Sequence, residues 1–177
     1  MDKFIINGPT TLEGHIDVSG SKNAALPILA STILSNKKIY LTNLPRVKDI
    51  ETMIKLLESL GSKVKYLKNK NSISIHNDRK IKTFVAYNLV KTMRAGILVL
   101  GPMLARFGKA KVSTPGGCSI GIRPIDIHLK SLVKLGVKYK IIDGYVHAYS
   151  NKKLKGTKIK FPKISVGATE NLIMTSS

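Results

Sequence analysis

The sequence predicts a mixed α/β (α+β) fold assembled from a repeated helix–strand–helix–strand–strand unit, and three observations carry that prediction. The run Leu57 to Tyr66 (LESLGSKVKY) recurs about 75 positions later as Leu132 to Tyr139 (LVKLGVKY). Each copy is preceded by Arg-x-x-Asp-Ile, at Arg46 to Ile50 and again at Arg123 to Ile127. Apolar residues keep helical spacing before each Leu-Gly, and β-rich runs follow it.

The elements follow in order. Ala24 to Leu34 reads as an apolar helix leading into a strand at Lys38 to Thr42, and Met93 to Phe107 leads likewise into Ala110 to Ser113. Ile50, Met53, Ile54, Leu57 and Leu60 are spaced by three and four, which makes one apolar helical stripe. Gly61 and Gly136 stand just past the last apolar residue of their helices, where a left-handed cap favours glycine. Two short strands follow each: Val64 to Leu67 with Ser72 to Ile75, and Val137 to Ile142 with Tyr145 to Tyr149, the second pair joined by the turn signal Asp143-Gly144. A third unit opens at Gly167 to Met174 with Thr169 as its cap. The chain stops within that helix, and Thr175-Ser176-Ser177 offers no evident C-cap, so the pattern reads as interrupted.

Composition excludes several classes. At 177 residues the chain is long enough for one domain with a real core. No uncharged run has the length of a membrane span, and the start Met1-Asp2-Lys3-Phe4 lacks the basic and apolar segments of a secretory signal. A single cysteine forms no internal disulfide, which suits a reducing cytoplasm. The net charge of +20 invites a polyanion partner. Its lysines are scattered, however, and aromatics do not interleave with them along the chain, so nucleic acid is not an expected partner. Compositional drift accounts for the charge better.

Two segments carry candidate chemistry. In Ser19-Gly20-Ser21-Lys22-Asn23, Ser21 is placed to cap a helix whose free N–H groups, together with Lys22, suit a phosphate or carboxylate. A lysine at a helix start is more often merely solvated, and it opposes the helix dipole. Pro27 leaves the helix start open. In Ser113 to Pro124 (STPGGCSIGIRP), three glycines and two prolines surround the lone Cys118, which describes an exposed loop. Arg123, five residues on, is placed to stabilise a thiolate or an anionic ligand.

The stretch Pro115 to His128 (PGGCSIGIRPIDIH) resembles the catalytic loop and following helix of the UDP-N-acetylglucosamine 1-carboxyvinyltransferases, within the enolpyruvyl transferase family. The resemblance runs along essentially the whole chain and includes Met1 to Phe4, Ser19 to Pro27 (SGSKNAALP), Leu89 to Ala95 (LVKTMRA) and Ser165 to Thr169 (SVGAT). It implies transfer of enolpyruvyl from phosphoenolpyruvate to the 3-hydroxyl of UDP-N-acetylglucosamine with release of phosphate, the first committed step of peptidoglycan synthesis, in the cytoplasm. Roles in cell wall biogenesis, cell shape, cell division and the cell cycle follow from that step. The related enolpyruvylshikimate phosphate synthases share fold and chemistry but lack the cysteine loop.

Carried over by motif, the resemblance makes Cys118 the general acid that protonates the methylene carbon and the site of a pyruvate adduct. It assigns Lys22 and Asn23 to phosphoenolpyruvate. Arg94, Arg123, Pro124, Ile125, Asp126, Ile127, Lys163, Ile164, Ser165 and Val166 fall to UDP-N-acetylglucosamine. No metal or cofactor is implied, and the family's full-length enzyme is a monomer that binds no membrane. The implied fold is an inside-out α/β barrel of two similar domains, each of three repeated units. Residues 1–21 would then pair with the second domain, and residues 22–177 would form an incomplete first domain. No acid of this chain matches the family's aspartate general base, so the chain is expected to have little activity alone.

Overall fold

The computed structural model describes residues 3–68, 71–78, 80–90, 93–114, 125–151 and 153–177, and of Arg94 the backbone. Its elements are α1 (Lys22–Ser31) with a 3-10 turn at Thr32–Leu34, β1 (Ile39–Leu41), α2 (Lys48–Leu60), β2 (Lys63–Tyr66), β3 (Ile73–His76), β4 (Phe84–Val85) and α3 (Tyr87–Val90). There follow a 3-10 segment at Arg94–Val99, α4 (Leu100–Phe107), β5 (Lys109–Ser113), α5 (Asp126–Lys134), β6 (Lys138–Ile142), β7 (Tyr145–Tyr149) and α6 (Val166–Ser176). The mixed α/β class and the repeated unit hold, and the sheets of the described residues do not close into a barrel.

The repeat extends to its hydrogen bonds. Past α2, Gly61 N–H donates to Glu58 O (2.9 Å) and Ser62 N–H to Leu57 O (3.0 Å). Past α5, Gly136 N–H donates to Val133 O (2.9 Å) and Val137 N–H to Leu132 O (3.1 Å). Both glycines have positive φ, 108° and 95°, so the same capping pattern ends both helices, as expected. The returning chain also repeats: Lys82 N–H bonds Leu60 O at 2.8 Å, and Lys155 N–H bonds Leu135 O at 2.9 Å.

Each unit adds an outer sheet. The first has strand order β1-β3-β2, all antiparallel, and the second has order β4-β5-β7-β6. In the second, β4 runs parallel to β5, and the other pairs are antiparallel. The β6–β7 hairpin turns at Asp143 and Gly144, both with positive φ, which matches the right-handed twist of the strands. β4 and α3 were not among the expected elements; a two-residue strand is too short to show a period.

Inside the sheets lie α1, the Arg94–Val99 segment continuing into α4, and α6, packed on one another. Their core comprises Leu29, Ile33, Leu100, Met103 and Leu104, joined by Met53, Leu57 and Leu60 of α2 and by Leu132 of α5. Burying such side chains contributes about 1.5–3 kcal/mol each. The three inner helices run in the same direction. Asn171 reaches Ile97 while Thr175 lies one turn further along, against Gly101. At the far end, Arg106 at the close of α4 donates to Ile33 O (2.7 Å) and Ser35 O (3.1 Å), just past α1. Their starts therefore share one end of the bundle.

Two terminal details differ from the sequence reading. Ser165, not Thr169, caps α6: its hydroxyl accepts from Ala168 N–H at 3.3 Å, while the Thr169 hydroxyl donates to Ser165 O. The hydroxyls of Thr175, Ser176 and Ser177 do satisfy carbonyls, each donating four residues back. Residues 3–20 form no helix or strand and are almost wholly exposed, with Phe4 at 99 % and Ile6 at 89 %. Among the described residues, no helix is long and apolar enough to cross a membrane.

Candidate functional site

The start of α1 is fixed from both sides. Ser21 is extended, and its hydroxyl accepts from Ala24 N–H at 3.4 Å, as a cap should. Gly20 N–H donates to the side-chain carbonyl of Asn43 at 3.1 Å, and the Asn43 amide donates to Val18 O at 3.3 Å. The approach is so close that a Cβ on Gly20 would stand 1.9 Å from Asn43 O. The Ser-Gly-Ser run thus presses the chain against the loop after β1 and aims Lys22 and Asn23 outward, both exposed. Pro27 lies inside the continuous helix.

Lys22 is not merely solvated. Its ammonium lies 2.8 Å from Asp49 Oδ2, in the first turn of α2, with the two side chains 47 % and 38 % exposed. Asp49 suits that helix start and offsets the charge conflict of a lysine at the start of α1. At this exposure the pair is worth about 0–1 kcal/mol. A negative ligand here would compete with Asp49 for the ammonium.

Asp126 occupies the matching position of the second Arg-x-x-Asp-Ile copy and begins α5. Its Oδ2 lies 3.6 Å from Lys130 on its own helix. Its Oδ1 is buried and accepts no hydrogen bond from the described residues. A buried carboxylate oxygen without a donor is costly, and it is a ready acceptor for an N–H or O–H brought by a ligand. Ile125 is half-buried beside it, and Ile127 is buried.

The third group sits where α6 begins. Lys163 and Ile164 are exposed, Ile164 at 97 %; Ser165 caps the helix, and Val166 is 69 % exposed. Arg94 starts the second inner helix, so its backbone joins Lys22 and Ser165 at the common end. Cys118, Arg123 and Pro124 lie outside the described residues. Thr114 precedes them, its N–H and hydroxyl both donating to Gly144 O at 2.8 and 2.9 Å.

The sequence reading gave no role to the pair that aligns these starts. The Asn171 amide donates to Ile97 O (3.0 Å) and meets His128 Nδ1 at 3.2 Å, tying together α6, the second inner helix and α5. Since that amide can only donate, Nδ1 accepts and the imidazole is neutral. Burial holds the His128 pKa below its ordinary value, and the nearby Asp126 charge partly opposes this. His128 follows Asp-Ile in the recognisable motif, but one sequence gives no sign that Asn171 is its partner. A cavity of about 640 Å³ between α2 and the first sheet is lined by none of the predicted site residues. Among the described residues, no cluster of side chains has the makings of a metal site.

Comparison with known proteins adds to this geometry. The family model described as EPSP synthase (3-phosphoshikimate 1-carboxyvinyltransferase) matches residues 6–177. The chain is 68 % identical over 176 residues to the UDP-N-acetylglucosamine 1-carboxyvinyltransferase of Pelagibacter ubique, aligning 99 % of itself with 42 % of that protein. It is 49 % identical over 176 residues to the protein of the same name from Acinetobacter baylyi, again covering 99 % of itself and 42 % of the relative. The chain thus spans about two-fifths of the length of these curated relatives. Among solved structures, EPSP synthase from Acinetobacter baumannii superposes with a TM-score of 0.71 at 16 % identity, over 92 % of this chain and 37 % of that one. The enolpyruvyl transferase NikO from Streptomyces tendae superposes at 0.67 with 17 % identity, over 81 % and 31 %. At such identities, these likenesses speak for the fold alone.

Proposed function

Because the chain belongs to the EPSP synthase family, we propose that it carries part of the site that transfers enolpyruvyl from phosphoenolpyruvate to the 3-hydroxyl of UDP-N-acetylglucosamine. The observation that supports this reading best is the shared end of three parallel helices, where Lys22 and the half-satisfied Asp126 stand. The names of the 68 % and 49 % identical relatives point to the same acceptor sugar.

In this reading Lys22 leaves Asp49 for the anionic groups of phosphoenolpyruvate, helped by Asn23 and the free N–H groups of α1. Cys118 donates its thiol proton to the methylene carbon. The sugar hydroxyl then adds to the neighbouring carbon while losing its own proton to a base, and phosphate leaves as a proton of the new methyl group returns to the thiolate. The Cys118 thiolate can instead add to that carbon, giving the covalent adduct. Asp126 accepts a donor from the nucleotide, while Arg94, Arg123, Pro124, Ile125, Ile127 and Lys163 to Val166 line its path. The hydroxyl's base is not among the acids of this chain. We further propose that residues 1–21 pair with a second domain and that residues 22–177 belong to the first. The setting is cytoplasmic peptidoglycan synthesis, with its consequences for cell shape and division, by an enzyme that is monomeric when whole.

Calorimetry with UDP-N-acetylglucosamine tests the nucleotide half of the proposal. Asp126→Asn should weaken binding about tenfold, the worth of one hydrogen bond to a charged acceptor. Heat that is absent for the parent chain, or unchanged by that substitution, would count against the assignment. Phosphate release by the chain alone should be negligible, and robust turnover would show that the base is present after all.

A further inference from the structure

The second sheet has one face in the core and one in solvent. Ala110, Val112, Val146, Ala148 and Val85 fill the inner face. The strand register then fixes what lies outside. Lys111 pairs with His147, which pairs with Lys140, and Phe84 of β4 flanks Lys111 on the other side. One step along, Lys109 pairs with Tyr149, which pairs with Lys138. Two rows result, each alternating cations with flat rings, about 7 Å apart because same-face residues are two apart on a strand.

The rings and cations touch. The Lys111 ammonium lies 5.2 Å from the Phe84 ring centroid and 5.0 Å from that of Tyr145, and those rings are themselves 5.7 Å apart. Its position is therefore set before any ligand arrives. Phe84 and Tyr149 remain 46 % and 40 % exposed. Among the described residues, no carboxylate belongs to these rows; the nearest acid along the hairpin, Asp143, is in its turn. The first sheet has the opposite character. There Asp78 binds both Lys63 and His76 at 2.8 Å, so these two cations are already partnered.

We propose that the outward face of the β4-β5-β7-β6 sheet binds single-stranded nucleic acid, with Lys109, Lys111, Lys138 and Lys140 on phosphates and Tyr149 and Phe84 stacking on bases. Four cations with no counter-charge among the described residues complement a polyanion, and rings set between them complement one whose charges alternate with flat bases. A lipid surface has no rings to stack, and it would favour aliphatic side chains inserted below its headgroups. This function is separate from transfer chemistry and uses none of the residues assigned to it.

The test is fluorescence anisotropy of a labelled short oligothymidylate with the 177-residue chain. Four phosphate contacts predict an affinity that falls roughly 50-fold between about 50 and 200 mM salt. Lys109→Gln with Lys140→Gln, both exposed residues, should halve the slope of log affinity against log salt. Tyr149→Leu should weaken binding about tenfold and leave that slope unchanged. Lys37→Gln with Lys65→Gln, removing two lysines of the first unit, should change nothing. Should Tyr149→Leu disturb the fold by circular dichroism, the lysine pair decides alone. No binding at low salt, equal loss with the control pair, equal competition by ring-free polyphosphate, or preference for phosphatidylserine vesicles would each overturn the proposal.

Discussion

The two units share one topology and treat the same acid in opposite ways. Asp49, in the first, is bound to Lys22 of the inner helix at 2.8 Å. Asp126, its counterpart in the second, keeps one buried oxygen without a donor among the described residues and has Lys130 at 3.6 Å from the other. The outer sheets reverse this: the first pairs Lys63 and His76 with Asp78, while the second leaves its lysines to rings and solvent. A repeat therefore supplies the scaffold, and local charge decides which of its copies is closed upon itself and which is open to a ligand.

The harshest challenge to that equivalence removes one core leucine from each unit. Leu57 and Leu132 occupy matching places and are 0 % and 1 % exposed. Leu57→Ala and Leu132→Ala should each cost about 3 kcal/mol in urea denaturation. Equal losses would sharpen the equivalence, and a loss confined to one unit would break it. Next comes the contact that seats the third inner helix on the second. A Cβ on Gly101 would stand 2.1 Å from Asn171 Oδ1 and 2.6 Å from Asn171 O, so Gly101→Ala should displace α6 and cost about 2 kcal/mol.

The acids themselves should respond more mildly and with different signs. Asp49→Asn breaks a half-exposed ion pair and should cost at most about 1 kcal/mol. Asp126→Asn should leave stability unchanged or raised, because the neutral amide takes the charge off its one buried oxygen, which has no donor among the described residues. If both lost stability alike, the contrast between the two units would fail. The smallest effect is in pH. The folded-state pKa of His128 lies below its ordinary 6.5, so the unfolded chain takes up the proton first. Its contribution is present above that value and is lost as pH falls through 6.5 towards the folded pKa. His128→Gln should flatten this limb. Asp78, also held below its ordinary 3.8 by Lys63 and His76, acts only at still lower pH, since its contribution is lost as pH falls through 3.8.

Much of this was legible in the chain. The repeated Leu-Gly fixed both capped helices, since a left-handed cap almost demands glycine and the preceding stripe demands a core. Ser21 was legible as a cap because capping needs only three consecutive neighbours. By contrast, Ser165 and Thr169 both offer a hydroxyl near the start of α6, and only the extended backbone at Ser165 picks the cap.

The amino-acid sequence by itself determined the unit, its repetition and the residue types at the helix starts, because these depend on local periodicity and short-range hydrogen bonding. Only the tertiary structure decided that Lys22 meets Asp49, that His128 meets Asn171, and that lysines and rings alternate across a sheet when they do not along the chain. Those pairings join residues up to 43 positions apart. Their geometry is set by helix direction and strand register, which a linear pattern constrains but does not contain.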